Sequence, residues 1–160
     1  MATIVIAADG SEAAHRAAEV GFEAAAAWGD HVLLVTAWDV LRADFGMPVH
    51  RIEHDFVNAE KGWAEKVLED AAAHAAERGL EAETVLVRGE PASQLCRIAK
   101  ERDARMIVIG THGWGAVRSL LLGSVTLRVL HHAPCAVLTG PPSPPTPFEA
   151  ARAEHTAAAG

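Results

Sequence analysis

The sequence predicts an α/β fold, a doubly wound parallel sheet of five strands with helices on both faces. Short apolar runs alternate with helical segments along the chain in the order βαβαβαβαβ. Because a helix separates each strand from the next, consecutive strands can run parallel through right-handed crossovers. The apolar runs are continuous, which is typical of strands buried on both faces. In such sheets ligands bind outside the carboxyl ends of the strands, where the strand order reverses.

The first strand, the first helix and the second strand account for residues 3–38. Thr3 to Ala8 is an apolar run that stops at Asp9, and an alanine-rich helix follows from Glu12 to Trp28. Ser11 is well suited to the N-cap of that helix, because its hydroxyl can accept a hydrogen bond from a first-turn N–H group. His31 to Trp38 is the second predicted strand.

The middle of the chain predicts a loop over residues 39–50, followed by a long helix that ends at Arg78, just before Gly79. Apolar residues at three- and four-residue spacing predict the buried face of this helix. They are Ile52, Phe56, Ala59, Trp63 and Val67.

The rest of the predicted domain repeats the same alternation. The elements are a strand from Glu83 to Val87, a helix from Pro91 to Arg102, a strand from Met106 to Ile109, a helix from Ser124 to about His132 and a strand from Cys135 to Thr139. This predicts one domain over residues 1–140. Five of the eight prolines fall within residues 141–147 and an alanine-rich run follows, so we expect residues 141–160 to be a disordered tail.

Composition excludes several classes of function. The chain has 160 residues, which fits one domain, and a net charge of −7, which argues against nucleic acid or an anionic membrane as a partner. No apolar run reaches 18 residues and no signal peptide precedes the first strand, so we expect a cytoplasmic protein. Cys96 and Cys135 lie far apart in no CxxC pattern, and they indicate neither a disulfide framework nor a zinc site.

The stretch from Arg105 to Ser124 carries the strongest functional pattern. Gly110 ends the fourth strand, Gly113 and Gly123 follow with two and nine residues between them, and Ser124 comes next. Glycine admits positive φ and lets backbone N–H groups converge on an anion, and the start of the following helix adds further N–H groups. The pattern therefore favours phosphate binding. In a second interpretation, the glycines only end a strand and cap a helix.

Other phosphate-binding loops do not fit this chain. A Walker loop needs Gly-Lys-Ser/Thr, and no glycine here precedes a lysine. A dinucleotide fingerprint can start at Gly113, but its third glycine position holds Arg118. A glycine pattern of this fixed spacing that ends in Ser or Thr arises by chance about 0.01 times in a chain of this composition.

The pattern G-x2-G-x9-G-[S/T] resembles the nucleotide signature of the ATP-binding branch of the universal stress protein family. IVIAADGSEAA resembles the N-terminus of that family, and GTHG, LLLGSV and HHAPCAVL resemble its C-terminal half. The resemblance covers residues 1–140. It implies an adenine nucleotide alpha hydrolase-like fold with the strand order 3-2-1-4-5, which would place the ligand crevice between strands 1 and 4.

The resemblance also implies a ligand, ATP, with a Mg²⁺ ion that accompanies its phosphates. Adenine would lie near Ala7, Ala8 and Ala37, and ribose near Asp9, although Asp9 has a second interpretation as a cap of the first helix. The triphosphate would follow the glycine loop. The contacts implied there are Ile109, Gly110, Gly113, Gly123, Ser124 and Val125.

Other polar and aromatic residues near the loop leave alternatives open. Arg118 and His112 can reach phosphate oxygens, or they are plain surface residues. Trp114 can cover the ligand, contact another subunit or fold onto its own chain. His131 and His132 resemble half of a metal site, but the prediction is that they interact with the C-terminal end of their helix.

No catalytic apparatus is visible in the sequence, which lacks a nucleophile elbow, an HExxH motif and an acidic cluster around the glycine loop. We therefore predict a regulatory nucleotide-binding module, at most a slow ATPase, which the resemblance places in the stress response with unidentified protein partners. One alternative is an interaction module of the same fold that binds no ATP. Another is a site for AMP, ADP or a cyclic nucleotide. An adenylating enzyme is least favoured, because ADGSEAA replaces the glycine-rich loop after strand 1.

The last predicted strand indicates self-association. Cys135 to Thr139 would form an apolar sheet edge, and such an edge invites pairing unless it is covered. In similar proteins this strand pairs with its own copy across a two-fold axis. We therefore expect a homodimer.

Overall fold

The computed structural model describes residues 1–38, 54–111 and 122–140, without the side chains of residues 54–57. Five strands and four helices alternate along these segments. They are β1 (Thr3–Ala7), α1 (Glu12–Trp28), β2 (His31–Trp38), α2 (His54–Glu77), β3 (Ala82–Arg88), α3 (Pro91–Glu101), β4 (Ala104–Ile109), α4 (Ser124–His132) and β5 (Ala136–Thr139).

The strands form one parallel sheet in the order β3-β2-β1-β4-β5. The expected fold and strand order are therefore confirmed. β1 is the central strand. Its Ile6 pairs with Leu34 of β2 on one side and with Val108 of β4 on the other.

Helices cover both faces of the sheet, as predicted. Alternate residues of β1 point to opposite faces, so Ile4 and Ile6 belong to one core and Val5 to the other. The first core packs under α1 and α2, where Phe22 is its largest fully buried side chain. The second core packs under α3 and α4. None of the helices described in the structure has the length and apolar character needed to cross a membrane.

The observed ends of α1 and β2 match the predicted ones, and those of the other strands and of α3 differ by at most two residues. β4 begins at Ala104, two residues before the predicted start, and β5 begins at Ala136 where Cys135 was expected. β1 ends at Ala7, but the Ala8 N–H still donates to the Val35 carbonyl at 2.9 Å. Helix and strand ends are defined by such marginal hydrogen bonds, so shifts of this size leave the architecture unchanged.

The buried face predicted for α2 is partly wrong. Val67 is buried as expected, but Ala59 is exposed and Trp63 is 49% exposed. The buried residues of α2 are instead Ala64, Val67, Leu68 and Ala75. The buried face therefore lies about one residue further around the helix than predicted, since Ala64 and not Trp63 is buried. Ile52 and the side chain of Phe56 lie outside the described residues.

Candidate functional site

The candidate site lies where the carboxyl ends of β1 and β4 meet. From β1 the chain adds β2 and β3 on one side, and then crosses to place β4 and β5 on the other. The strand order therefore reverses between β1 and β4, which is where ligands bind in open parallel sheets. The reversal of strand order expected from the sequence is present at that position in the fold.

The carboxyl end of β1 is held by its neighbour β2. The Ala8 carbonyl accepts a hydrogen bond of 2.8 Å from the hydroxyl of Thr36, which is 1% exposed. Ala7 and Ala8 are half-buried, and so is Ala37, which pairs with Val87 of β3. The structure therefore brings the three alanines of the predicted adenine side to the same edge of the sheet. The role of Thr36 was not predicted, because a single threonine in an apolar strand does not form a recognisable sequence motif.

Asp9 lies two residues after the end of β1 and is half-buried. Its Oδ1 accepts a hydrogen bond of 2.8 Å from the Ser11 N–H. The N-cap of α1 is Ser11, whose hydroxyl oxygen accepts from the Ala14 N–H at 3.1 Å. Asp9 thus shapes the turn before the helix, while Ser11 caps it as predicted.

Two hydrogen bonds join the end of β4 to the start of α4. The Gly123 N–H donates to the Thr111 carbonyl at 2.7 Å, and the Thr126 hydroxyl donates to the Gly110 carbonyl at 2.8 Å. Thr111 and Thr126 are both buried. The end of β4 and the start of α4 are therefore held together by these two bonds. Thr126 was also missed, because its partner lies 16 residues away.

The start of α4 differs from the starts of α1 and α3. Ser11 caps α1, and the Glu90 carboxylate caps α3 by accepting from the N–H groups of Ala92 and Ser93. Gly123 holds the N-cap position of α4 with extended backbone, and it provides no side-chain cap. Ser124 is exposed and Val125 half-buried in the first turn. A helix start without a side-chain cap leaves its N–H groups to another acceptor, such as an anion.

Gly110 has a structural reason to be glycine. A Cβ at this position would lie 2.6 Å from the backbone nitrogen of Ala14 and 2.8 Å from the carbonyl carbon of Ala13. The close approach of α1 to the end of β4 therefore excludes any side chain there. The interpretation of Gly110 as strand punctuation is supported by this contact, and a ligand role for its backbone is compatible with it.

A charged pair near the same edge was not predicted. Arg128 of α4 lies 3.3 Å from Oε1 of Glu90 at the start of α3. Partial burial of Glu90 would raise its pKa, but hydrogen bonds from Ser93 and Ala92, together with the charge of Arg128, lower it overall. Glu90 is therefore anionic at neutral pH, and the pair joins the starts of α3 and α4.

Several predicted loop residues lie outside the described residues. They are His112, Gly113, Trp114 and Arg118. The other predicted ligand-contact residues lie within the described part of the chain, in three places. Ala7, Ala8, Asp9 and Ala37 lie at the ends of β1 and β2, Ile109 and Gly110 at the end of β4, and Gly123, Ser124 and Val125 at the start of α4. His131 and His132 are exposed in the last turn of α4, as expected.

The fold defines a class of protein, a doubly wound α/β domain whose strand order reverses between β1 and β4. The model of the universal stress protein family matches residues 1–139. The chain belongs to the universal stress protein family.

Relatives from bacteria agree with this assignment. The universal stress protein in the QAH/OAS sulfhydrylase 3′ region of Thermus aquaticus is 38% identical over 137 residues, which are 85% of this chain and 96% of that protein. Universal stress protein YxiE of Bacillus subtilis is 38% identical over 92 residues, which are 58% of this chain and 62% of that protein.

Two similar solved structures contain adenine nucleotides. A universal stress protein in complex with cAMP is 26% identical, with a TM-score of 0.68, and the match covers 89% of this chain and 98% of that one. The universal stress protein of Archaeoglobus fulgidus in complex with dAMP is 27% identical, with a TM-score of 0.61. That match covers 86% of this chain and 95% of the other one.

Proposed function

We propose that this protein binds an adenine nucleotide, ATP with Mg²⁺, in the crevice between β1 and β4. The observation that carries the proposal is the start of α4, which has no side-chain cap and is fastened to the end of β4 by the Gly123 to Thr111 hydrogen bond. Its first-turn N–H groups and the positive end of its dipole suit a phosphate group.

Each end of the crevice has a distinct role in this proposal. Adenine lies against the half-buried alanines at positions 7, 8 and 37, where small side chains leave room for a flat ring. Asp9 accepts a hydrogen bond from a ribose hydroxyl. The phosphates lie along the backbone from Gly110 to Val125, and Gly113 approaches them within the intervening segment. Mg²⁺ binds mainly to phosphate oxygens and water.

The nucleotide complexes of similar proteins support an adenine ligand, and they bear monophosphates. AMP, ADP and cyclic nucleotides are therefore competing ligands for the same crevice. ATP is favoured by the glycine pattern, whose length provides backbone N–H groups for more than one phosphate. Without groups that position an attacking water, hydrolysis should be slow, and the role of the nucleotide is regulatory.

Self-association is part of the proposed function. β5 is an edge strand that pairs with β4 alone among the described strands. Leu127 and Leu130 of the preceding helix are 44% and 45% exposed. We infer that β5 and these leucines bind a second copy of the chain, which would satisfy the strand edge and bury both side chains. The dimer could then present a surface that unidentified partners recognise.

The test is calorimetric titration of ATP and Mg²⁺ into nucleotide-free protein, compared with AMP, ADP and cAMP. In Gly123→Val the new side chain stands at the start of α4, and we expect ATP affinity to fall at least roughly tenfold. Gly113→Val should act in the same direction. Gly62→Val is the matched control, because a Cβ at position 62 meets nothing within 4 Å.

The result decides between the candidate functions. Binding of ATP by the parent and Gly62→Val, and its loss in Gly123→Val with an unchanged circular dichroism spectrum, would support the proposed site. Tighter binding of a monophosphate would assign the crevice to that nucleotide. No binding of any of the four nucleotides would reject the proposal and favour an interaction module.

A further inference from the structure

A second group of chemically active side chains lies where α1 and α2 meet. His15 and Glu19 are one turn apart on α1, and His74 faces them from α2. The His15 Nε2 atom lies 3.8 Å from Glu19 Oε1, and the His74 Nε2 atom contacts the same oxygen. The ligand-type atoms of these three side chains all lie within 4.8 Å of one another.

Two imidazole nitrogens and one carboxylate oxygen are a ligand set that Zn²⁺ prefers. In a tetrahedral zinc site with bonds of about 2.0–2.1 Å, neighbouring ligand atoms lie about 3.4 Å apart. The separation of 3.8 Å between His15 Nε2 and Glu19 Oε1 is slightly wider than this, and His74 would have to move away from Glu19 to admit the ion. The side chains can adjust, since those of His15, Glu19 and His74 are 59%, 31% and 20% exposed.

The surroundings of His74 also suit a metal ligand. The Glu77 Oε2 atom lies 3.5 Å from His74 Nδ1, on the far side of the ring from Glu19. Metal-bound histidines commonly donate their second N–H to a carboxylate, which fixes the orientation of the ring. The carboxylates of Glu19 and Glu77 outnumber the one guanidinium beside them, that of Arg78, which favours a cation at this position.

Arg78 is the competitor of a metal ion at this position. Its guanidinium bonds to Glu19 Oε2, and its Nη1 lies 3.2 Å from His74 Nδ1. The metal would take the other carboxylate oxygen, Oε1. Because a guanidinium can only donate, Nδ1 accepts in this arrangement and Nε2 carries the ring proton. Metal binding at Nε2 therefore requires the proton to move to Nδ1, where Glu77 can accept it, and Arg78 opposes this change by its position and its charge.

The ion pair between His31 and Glu83 lacks the second histidine that the group of His15, Glu19 and His74 contains. His31 Nε2 lies 3.4 Å from Glu83 Oε2, and Arg102 bonds to that carboxylate as well. Within residues 1–38, 58–111 and 122–140, three or more potential metal ligands lie within 4.8 Å of one another only in the group of His15, Glu19 and His74. The second imidazole is what separates it from the His31 pair.

We propose that His15, Glu19 and His74 form a Zn²⁺ site that joins α1 to α2, with water in the fourth position. The site is separate from the proposed nucleotide crevice in residues and in chemistry. Because the ligands come from two helices, bound zinc should stabilise the folded protein over the unfolded chain.

The test is a titration of Zn²⁺ against a chromophoric chelator, with the purified full-length chain stripped of metal and without nucleotide. We expect one zinc ion to bind per chain at this site, and affinity to fall at least roughly tenfold in His15→Gln and in His74→Gln. His31→Gln is the matched control and should bind as the parent does. His15→Gln changes an exposed side chain, so it should fold even if His74→Gln does not.

A second readout distinguishes a site from adventitious binding. Zn²⁺ should raise the thermal midpoint of the parent and of His31→Gln, and should raise that of His15→Gln much less. Arg78→Gln should bind zinc more tightly than the parent, because it removes the competing cation. The proposal is overturned if the parent binds no zinc in the micromolar range, or if His15→Gln and folded His74→Gln bind it as tightly as His31→Gln.

Discussion

The Gly123 N–H donates to the Thr111 carbonyl at 2.7 Å, and this bond fixes the start of α4 against the end of β4. The bond does not require a ligand. It places the first turn of α4 beside the switch point of the sheet between β1 and β4, where we propose that the nucleotide binds. The proposed phosphate position is therefore built by the backbone, and its side chains act mainly by holding that backbone in place.

Thr126→Val should show how much the second of these bonds contributes. The Thr126 hydroxyl is buried and donates to the Gly110 carbonyl at 2.8 Å. Valine keeps the shape but leaves a buried carbonyl without this donor, at a cost of about 1–2 kcal/mol in the free energy of unfolding. ATP affinity should fall roughly tenfold, because the site is less well preorganised.

Urea unfolding and calorimetry measure these two effects. Thr84→Val is the control, since Thr84 is exposed on β3. Equal stability and equal ATP affinity of Thr126→Val and the parent would show that the hydroxyl has no role in holding the site.

Gly110→Ala should destabilise the protein whether or not a nucleotide binds. The added Cβ would lie 2.6 Å from the Ala14 nitrogen, a backbone atom that cannot rotate away. We expect a loss of about 3 kcal/mol in the free energy of unfolding, the upper part of the usual range for overpacking. Chemical denaturation of nucleotide-free protein measures it.

The control for this substitution is Gly62→Ala. Position 62 lies in α2 and a Cβ there meets nothing within 4 Å, so alanine should stabilise the helix by roughly 0.5–1 kcal/mol. If Gly110→Ala is as stable as the parent, the close approach of α1 does not explain the glycine.

The sequence predicted the sheet well because its strands are continuous apolar runs with a helix between each pair. It did not reveal contacts between residues distant along the chain, such as Gly110 against Ala14. Buried hydroxyls such as that of Thr126 were invisible, since a lone threonine forms no pattern. The pairing of Glu19 with His74, which are 55 positions apart, likewise depends on how α1 and α2 meet.

Acid should weaken one ion pair at the edge of the sheet. Hydrogen bonds from Arg102 lower the pKa of Glu83 to about 2, against the opposing effect of partial burial, and His31 adds to the lowering. Since the folded pKa lies below the ordinary value of 4.5, the pair stabilises the fold fully above pH 4.5. Its contribution disappears as the pH falls toward 2. The side chains are well exposed, so the effect should be small.

Urea midpoints measured from pH 6 to pH 3 test this sign. Glu83→Gln should be slightly less stable than the parent at pH 6, and the difference should shrink as the pH falls. Arg102→Gln removes the donor from the other side and should show the same trend. A difference that grows on acidification would contradict the assigned direction.

Leu127→Glu combined with Leu130→Glu should disrupt the proposed dimer. Both leucines are nearly half exposed on α4, the helix that precedes the edge strand β5. Burying two carboxylates per chain in a subunit interface costs far more than leaving them in water, so the dimer dissociation constant should rise at least roughly tenfold. Sedimentation velocity at micromolar concentration measures the change. Trp63→Glu is the matched control, because Trp63 is a similarly exposed apolar residue on α2 and should leave the association unchanged. A parent protein that sediments as a monomer, or a double variant that dimerises as the parent does, would remove β5 and these leucines as the interface.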